Sequence, residues 1–307
     1  MRGAVLLAVL GLAFGVSRAE VRVARVFGDH MVLQRGMPVP VWGWAAPGEA
    51  LTVTLGETRG EAVAAADGRW LVHLPTQGAG GPTALRVSGP ANEVTFQDVL
   101  VGEVWLCSGQ SNMQFAARSA LNAEEEIKQA DFPEIRLLTV WPSRQMEEPL
   151  SDLSAPVWRA CSPETAGGFS AVGYFFGREL RRELKVPIGL INASYGGTSI
   201  EAWISREKLL EDDSTAAIVK EWDRVKADVP AMEADYAAKT KAWEEAAAQA
   251  KAAGKPAPER SRFHRFARPQ ARPAAFYNTC IAPLIPFATR GVIWYQGESG
   301  GNRTGRC

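Results

Sequence analysis

The chain has 307 residues, enough for one large or two medium domains with real cores. Its 34 Lys+Arg balance 34 Asp+Glu, which argues against a nucleic-acid or acidic-lipid partner. With 29 Gly, 19 Pro and 10 Trp, the composition fits a loop-rich protein with aromatic-lined clefts.

The first 19 residues read as a signal peptide. Arg2 supplies a positive start, Ala4 to Val16 an apolar run, and Ser17-Arg18-Ala19 small residues at a cleavage site. That run is too short to span a bilayer, so the expected location is secreted or periplasmic, with no membrane span after cleavage. Four cysteines (Cys107, Cys161, Cys280, Cys307) in an exported chain are able to pair, but their wide spacing is not that of a small disulfide scaffold. No C-x-x-C occurs and the three histidines are scattered, so no metal site is expected.

Residues 20–98 read as a small β-sandwich domain. "PVPVWGWAAPGEALTVTL" alternates near period two around Pro47-Gly48, and Asp67-Gly68 forms a turn before "RWLVHL". From residue 99 to 307 the pattern changes. "VGEVWLC", "VPIGLINASY" and "RGVIWYQG" are apolar runs ending in Gly- and Ser-rich turns, as in a parallel sheet buried on both faces. Between them, "FSAVGYFFGRELRREL" places Phe169, Val172, Phe176 and Leu180 at helical spacing. The expectation is an α/β domain with its site at the carboxyl ends of the strands. Residues 207–262 form an Ala-, Lys- and Glu-rich helical insertion, expected to cover the sheet or to act as a lid. Ile218, Trp222, Val225 and Val229 mark one face of it; after a break at Pro230, Met232, Tyr236 and Trp243 mark another.

Two serines compete as nucleophile. Ser299 lies in Gly297-Glu298-Ser299-Gly300-Gly301, a G-x-S-x-G match after an apolar strand, but no acid and histidine follow it. Ser111 lies in Ser108-Gly109-Gln110-Ser111-Asn112-Met113, after the apolar run Val104 to Cys107. Small residues at 108 and 109 permit a sharp turn. Ser111 then falls where a helix begins, its hydroxyl exposed and unpaired backbone N–H groups beside it. A nucleophile next to an oxyanion hole is what acyl transfer needs, although serine is also simply a good helix cap.

These residues carry a resemblance. Gly109-Gln110-Ser111-Asn112-Met113 resembles the first block of SGNH (GDSL-type) hydrolases, in the form found in the sialate O-acetylesterase and acetylxylan-esterase branch. The stretch from Asn192 to Trp203 resembles that branch's second block, and Gly291 to Ser299 its third. "DHMVLQRGMPVPVWGWAAPGE" is similar to the leading β-domain of sialate O-acetylesterase-like proteins. The resemblance implies a three-layer α/β/α SGNH fold, incomplete here, and hydrolysis of acetyl esters on a carbohydrate without cofactor or metal. It implies Ser111 as nucleophile, Ser111 and Gly197 N–H groups with Gln296 as the oxyanion hole, and Glu298 as a supporting carboxylate. Trp105, Trp203 and Trp294 either offer sugar-stacking faces or pack as core.

The family's late D-x-x-H is missing. His30, His73 and His264 follow Phe27, Trp70 and Ser261 at that spacing, so no catalytic Asp/His is expected in this chain. The final "GGNRTGRC" lacks apolar periodicity and reads as a truncated or frame-shifted end, from which an inactive or nearly inactive product is expected. Two rival functions are an α/β-hydrolase using Ser299 and a non-catalytic carbohydrate-binding protein built on the β-domain.

Overall fold

The computed structural model describes residues 20–144 and 146–298. Residues 1–19, Gln145 and residues 299–307, with Ser299 and Cys307, lie outside the described residues, and so do the signal-peptide reading and the others made on them.

Period-two patterning yields the expected strands at the start. Strands β1 (Arg22–Val23), β3 (Val39–Trp44) and β6 (Arg69–Leu74) form an antiparallel three-stranded sheet. Strands β4 (Ala50–Leu55), β5 (Thr58–Val63) and β7 (Gly80–Ser88) pack over it, joined by the short β2 (Val32–Gln34). Alternate residues of β4 and β6, among them Leu51, Val53, Trp70 and Val72, are buried in the shared core, while the residues between them face outward. Gly68 turns the chain into β6 at φ +78°, as the Asp-Gly signal suggests.

The expected boundary between residues 98 and 99 falls inside one strand. Strand β8 (Glu93–Gly109) runs for 17 residues. Its first half pairs antiparallel with β7, and Leu100–Gly102 pair with β2. Its second half pairs in parallel with β11 (Ile188–Ser194) on one side and β12 (Gly291–Tyr295) on the other. Strand β9 (Phe132–Thr139) extends the parallel part beyond β11, and β10 (Arg159–Cys161) closes it antiparallel.

Helices α1 (Ser111–Gln114), α2 (Ala123–Lys128), α3 (Pro163–Ala166) and α4 (Ala171–Leu184) follow β8 and β10. Helix α4 lies on β11 so closely that a methyl group on Gly177 would sit 2.5 Å from Leu190 Cδ1. Its face at Val172, Phe176 and Leu180 joins the cluster of Phe169, Ile188 and Leu190, as the helical spacing indicates. β11 is buried along its whole length, as a strand covered on both faces should be. β12 departs from that expectation: Val292, Trp294 and Tyr295 are exposed, so among the described residues this strand is not covered on both faces.

The insertion is helical: α5 (Arg206–Leu210), α6 (Asp213–Val225) and α7 (Val229–Ala252), with Pro230 in the first turn of α7 where its missing N–H costs nothing. The apolar face of α6 finds its partners beyond the insertion. Ile218 and Trp222 pack with Phe266 and Ala271, on the turns that follow the insertion. Helix α7 buries no residue; Tyr236 meets Phe263 at 4.6 Å, and Trp243 donates to Pro258 O at 2.7 Å.

A polar junction ties the sandwich to β9. Arg136 donates to both carboxylate oxygens of Asp98, at 2.6 and 3.1 Å, and to the carbonyls of Pro133 and His30. His30 Nδ1 lies 2.6 Å from Asp98 Oδ2, and both residues hold positive φ, at 66° and 53°. The guanidinium beside it, and then His30, hold the Asp98 carboxyl below its ordinary value.

Candidate active site

β8, β11 and β12 run parallel, so their carboxyl ends converge on one edge, and the loops there build the site. Gly109 ends β8 at φ +136°, a conformation closed to side chains without strain. A methyl group there would lie 2.1 Å from Tyr295 O, so only glycine lets β12 approach this closely. Gln110 N then donates to Tyr295 O at 3.0 Å, and Tyr195 N donates to Gly109 O at 3.0 Å. The turn is thus clamped between the ends of its two neighbouring strands.

Ser111 is the first residue of α1 and is exposed. The opening N–H groups of a helix have no intrahelical partner, and no side chain caps this one. Ser108, three residues earlier, is fully buried and donates to Ala193 O at 2.7 Å, so it is a strand-locking hydroxyl rather than a reactive one.

The turn after β11 comes alongside. A methyl group on Gly196 would sit 3.5 Å from Ser111 Cβ. Gly197 follows at φ +73°, with nothing within 4 Å of where a Cβ would stand. Sequence reasoning passed over two residues that hold this turn. Gln114 Oε1 accepts from Gly196 N at 2.8 Å, fixing α1 against the loop. Thr198 Oγ1 donates to Tyr195 O at 2.9 Å and accepts from Trp203 Nε1 at 2.8 Å. Gln114 was findable: it lies one helical turn beyond Ser111 and therefore on the same side of α1. Thr198 was not, because its partner Trp203 is recognisable only once the turn is built.

Gln296 Nε2 donates to Thr198 O at 3.3 Å, joining the end of β12 to the same loop. An amide nitrogen carries two hydrogens, so this bond leaves one for a ligand. Glu298 Oε1 accepts a hydrogen bond from Asn112 Nδ2. Bonds made by their chain neighbours Asn112, Gln114, Gly196 and Thr198 thereby hold Ser111, Gly197, Gln296 and Glu298, far apart in sequence, around the β8 turn. Ser299 lies outside the described residues.

The tryptophans divide. Trp203 is buried, stacked near Phe276 at 5.0 Å, which in turn meets Tyr195 at 5.0 Å. Trp105 packs edge-on against Phe176. Trp294 crosses Trp203 at 5.8 Å and stays 42% exposed, so of the three it alone presents substantial surface.

No described histidine approaches Ser111. His30 is committed to Asp98, and His73 sits exposed on β6. His264 Nδ1 accepts from Phe266 N at 3.3 Å, and its Nε2 lies 4.0 Å from Glu221. Cys107, Cys161 and Cys280 are free and buried, contrary to any pairing among them, and burial pushes each thiol up to about 12. Cys107 lies two residues before Gly109, but a thiol so reluctant to ionise is packing, not a nucleophile. Among the described residues no cluster of His, Cys, Asp or Glu is placed to hold a metal ion.

Comparison with known proteins places similar chains as follows. Residues 101–234 match the model of a carbohydrate esterase family described as sialic acid-specific acetylesterase. Curated sialate O-acetylesterases from Pongo abelii and Homo sapiens are 33% and 32% identical over 297 residues, 91% of this chain and 49% of each relative. A solved structure of a carbohydrate acetylesterase from Xanthomonas citri superposes with TM-score 0.71 at 34% identity, over 93% of this chain and 53% of that one. The chain spans about half the length of the curated relatives it matches.

Proposed function

The chain belongs to the sialate O-acetylesterase family, and from that membership we propose that it carries the nucleophile and oxyanion-binding half of a carbohydrate O-acetylesterase site. The observation that carries the reading is the placement of an exposed Ser111 at the head of α1, against the Gly196-Gly197 turn. The substrate is an acetylated sugar. With a signal peptide at its start, the protein meets that substrate outside the cytoplasm.

In the proposed reaction, Ser111 Oγ attacks the acetyl carbonyl carbon and loses its proton to a base. The carbonyl oxygen becomes an oxyanion, which accepts from the Ser111 and Gly197 N–H groups and from Gln296. The tetrahedral centre then collapses, the sugar leaves as its alcohol with a proton, and water releases acetate from Ser111 by the same route. Each fixed donor is worth about 2.7–4 kcal/mol of barrier. Gly197 suits its role because an absent side chain lets the oxyanion approach the backbone. Glu298 acts indirectly, holding Asn112, the residue next to the nucleophile. The base is none of the described histidines: His30 is held by Asp98, His264 bonds Phe266 N, and His73 lies on β6 of the sandwich.

The test is labelling with a fluorophosphonate followed by peptide mapping. Adduct on Ser111, absent from Ser111→Ala, supports the reading; adduct on Ser299 instead would replace it with the α/β-hydrolase alternative.

A further inference from the structure

A cleft of about 620 Å³ opens where the three-stranded sheet meets the segments at 149–151 and 282–286. That volume is ample for a small ligand, and junctions between modules are where such sites concentrate. None of its lining residues belongs to the Ser111 network.

One wall is set by strand register. β3 and β6 pair Trp42 with Leu71 and Trp44 with Arg69, so these four side chains share one face of the sheet. Trp42 is anchored at the back, edge-on to Phe27 at 4.9 Å. Trp44 is half-buried, with the Arg22 guanidinium 4.5 Å from its ring centre, and Leu71 is 44% exposed. The opposite wall offers Ile285, 58% exposed. The rim is polar: Ser151 lies there, and Arg69 pairs with Asp67 at 3.6 Å, an open pair that a ligand hydroxyl can share.

One half-buried indole, Trp44, backed by the buried Trp42 and flanked by Leu71 and Ile285, with a hydroxyl and guanidinium groups at the rim, complements one kind of small molecule well. A pyranose ring has an apolar C–H face for stacking and a girdle of hydroxyls for the rim. A lipid chain would have no use for the polar rim, and a phosphate would find a single loosely held arginine. We propose that this cleft binds a sugar residue of the glycan other than the one that carries the ester. The proposal rests on the reading that the substrate is a carbohydrate. It makes the N-terminal sandwich a holding site, so that the ester is delivered from a tethered chain.

The experiment is calorimetric titration of the Ser111→Ala chain with unesterified xylotriose, cellotriose and N-acetylneuraminic acid. At least one is expected to bind, and Trp44→Ala and Ile285→Asp are each expected to weaken it about tenfold or more. Ile285 is exposed, so its variant should fold even where Trp44→Ala does not; urea unfolding checks both. The proposal is overturned if none of the three sugars binds, or if binding persists in Ile285→Asp. It is also overturned if the chain self-associates in sedimentation and Ile285→Asp alone makes it monomeric, because the cleft would then be a contact between copies. Ser111 labelled without sugar binding removes the cleft and leaves the esterase reading. Sugar bound with Ser111 unlabelled does the reverse.

Discussion

Replacing Gly109 by alanine should damage the protein more than its single methyl group suggests. Gly109 holds φ +136°, where an L side chain costs about 1–3 kcal/mol. The new Cβ would stand 2.1 Å from Tyr295 O, and Cβ contacts are essentially never found below 3.0 Å, so the carbonyl must retreat by at least 0.9 Å. The retreat breaks the bond from Gln110 N to Tyr295 O, about 1 kcal/mol, and pries β12 from β8, about 1 kcal/mol more. Together these predict a loss of about 3–5 kcal/mol from a total that is commonly 5–15. Urea unfolding followed by tryptophan fluorescence measures it, with the slope required to match wild type. Labelling of Ser111 by the fluorophosphonate should slow in the same variant, because the turn that presents it has lost one of its two clamps. A loss below about 1 kcal/mol would refute the argument, since it would mean that β12 gives way freely and does not brace the nucleophile.

Two further outcomes follow from the ionisable groups. Asp98 has its carboxyl held below the ordinary 3.8, chiefly by Arg136, so its contribution is complete above that value and fades as pH falls through the lower folded value. Wild type should therefore lose more urea resistance than Asp98→Asn on acidification below about pH 4, and parallel pH profiles would contradict the role given to this junction. Cys107, Cys161 and Cys280, buried with thiols raised to about 12, should ignore a thiol reagent at pH 8 in the native state and react once urea is added; fast native labelling mapped to any of them would show that the packing is wrong.

The local structure around Ser111 was legible because its signals are local. Small residues at 108 and 109, an apolar run before them and a serine after them describe a strand, a turn and a helix start within eight positions. α4 was legible for the same reason, its apolar residues falling on one side of 14 consecutive residues. What escaped depends on partners remote in sequence. Arg136 meets Asp98 across 38 positions and Gln114 meets Gly196 across 82, and neither pairing leaves a period to detect. The insertion has an amphipathic α6, which any core satisfies; only the fold shows that Phe266, 44 residues after Trp222, packs against it. The continuity of β8 through the expected boundary escaped because the irregularity there is a bulge and not a turn: Asp98 takes a positive φ, the register with β7 shifts, and pairing resumes on both sides.

That shared strand has a consequence for how this sequence can change. Side chains alternate along β8, so its facing at Leu100, where β2 docks, sets its facing at Cys107 and Ser108. Cys107 looks toward α4, where Gly173 makes room for its sulfur, and Ser108 is bonded to β11. One residue inserted between Gly102 and Glu103 would swap those two directions and turn the Ser111 elbow with them, unless a bulge absorbed it. The sandwich therefore sets the phase of the strand that delivers the nucleophile. Length changes should accumulate in the surface loops of the sandwich and be excluded from the few residues of β8 that join it to the site.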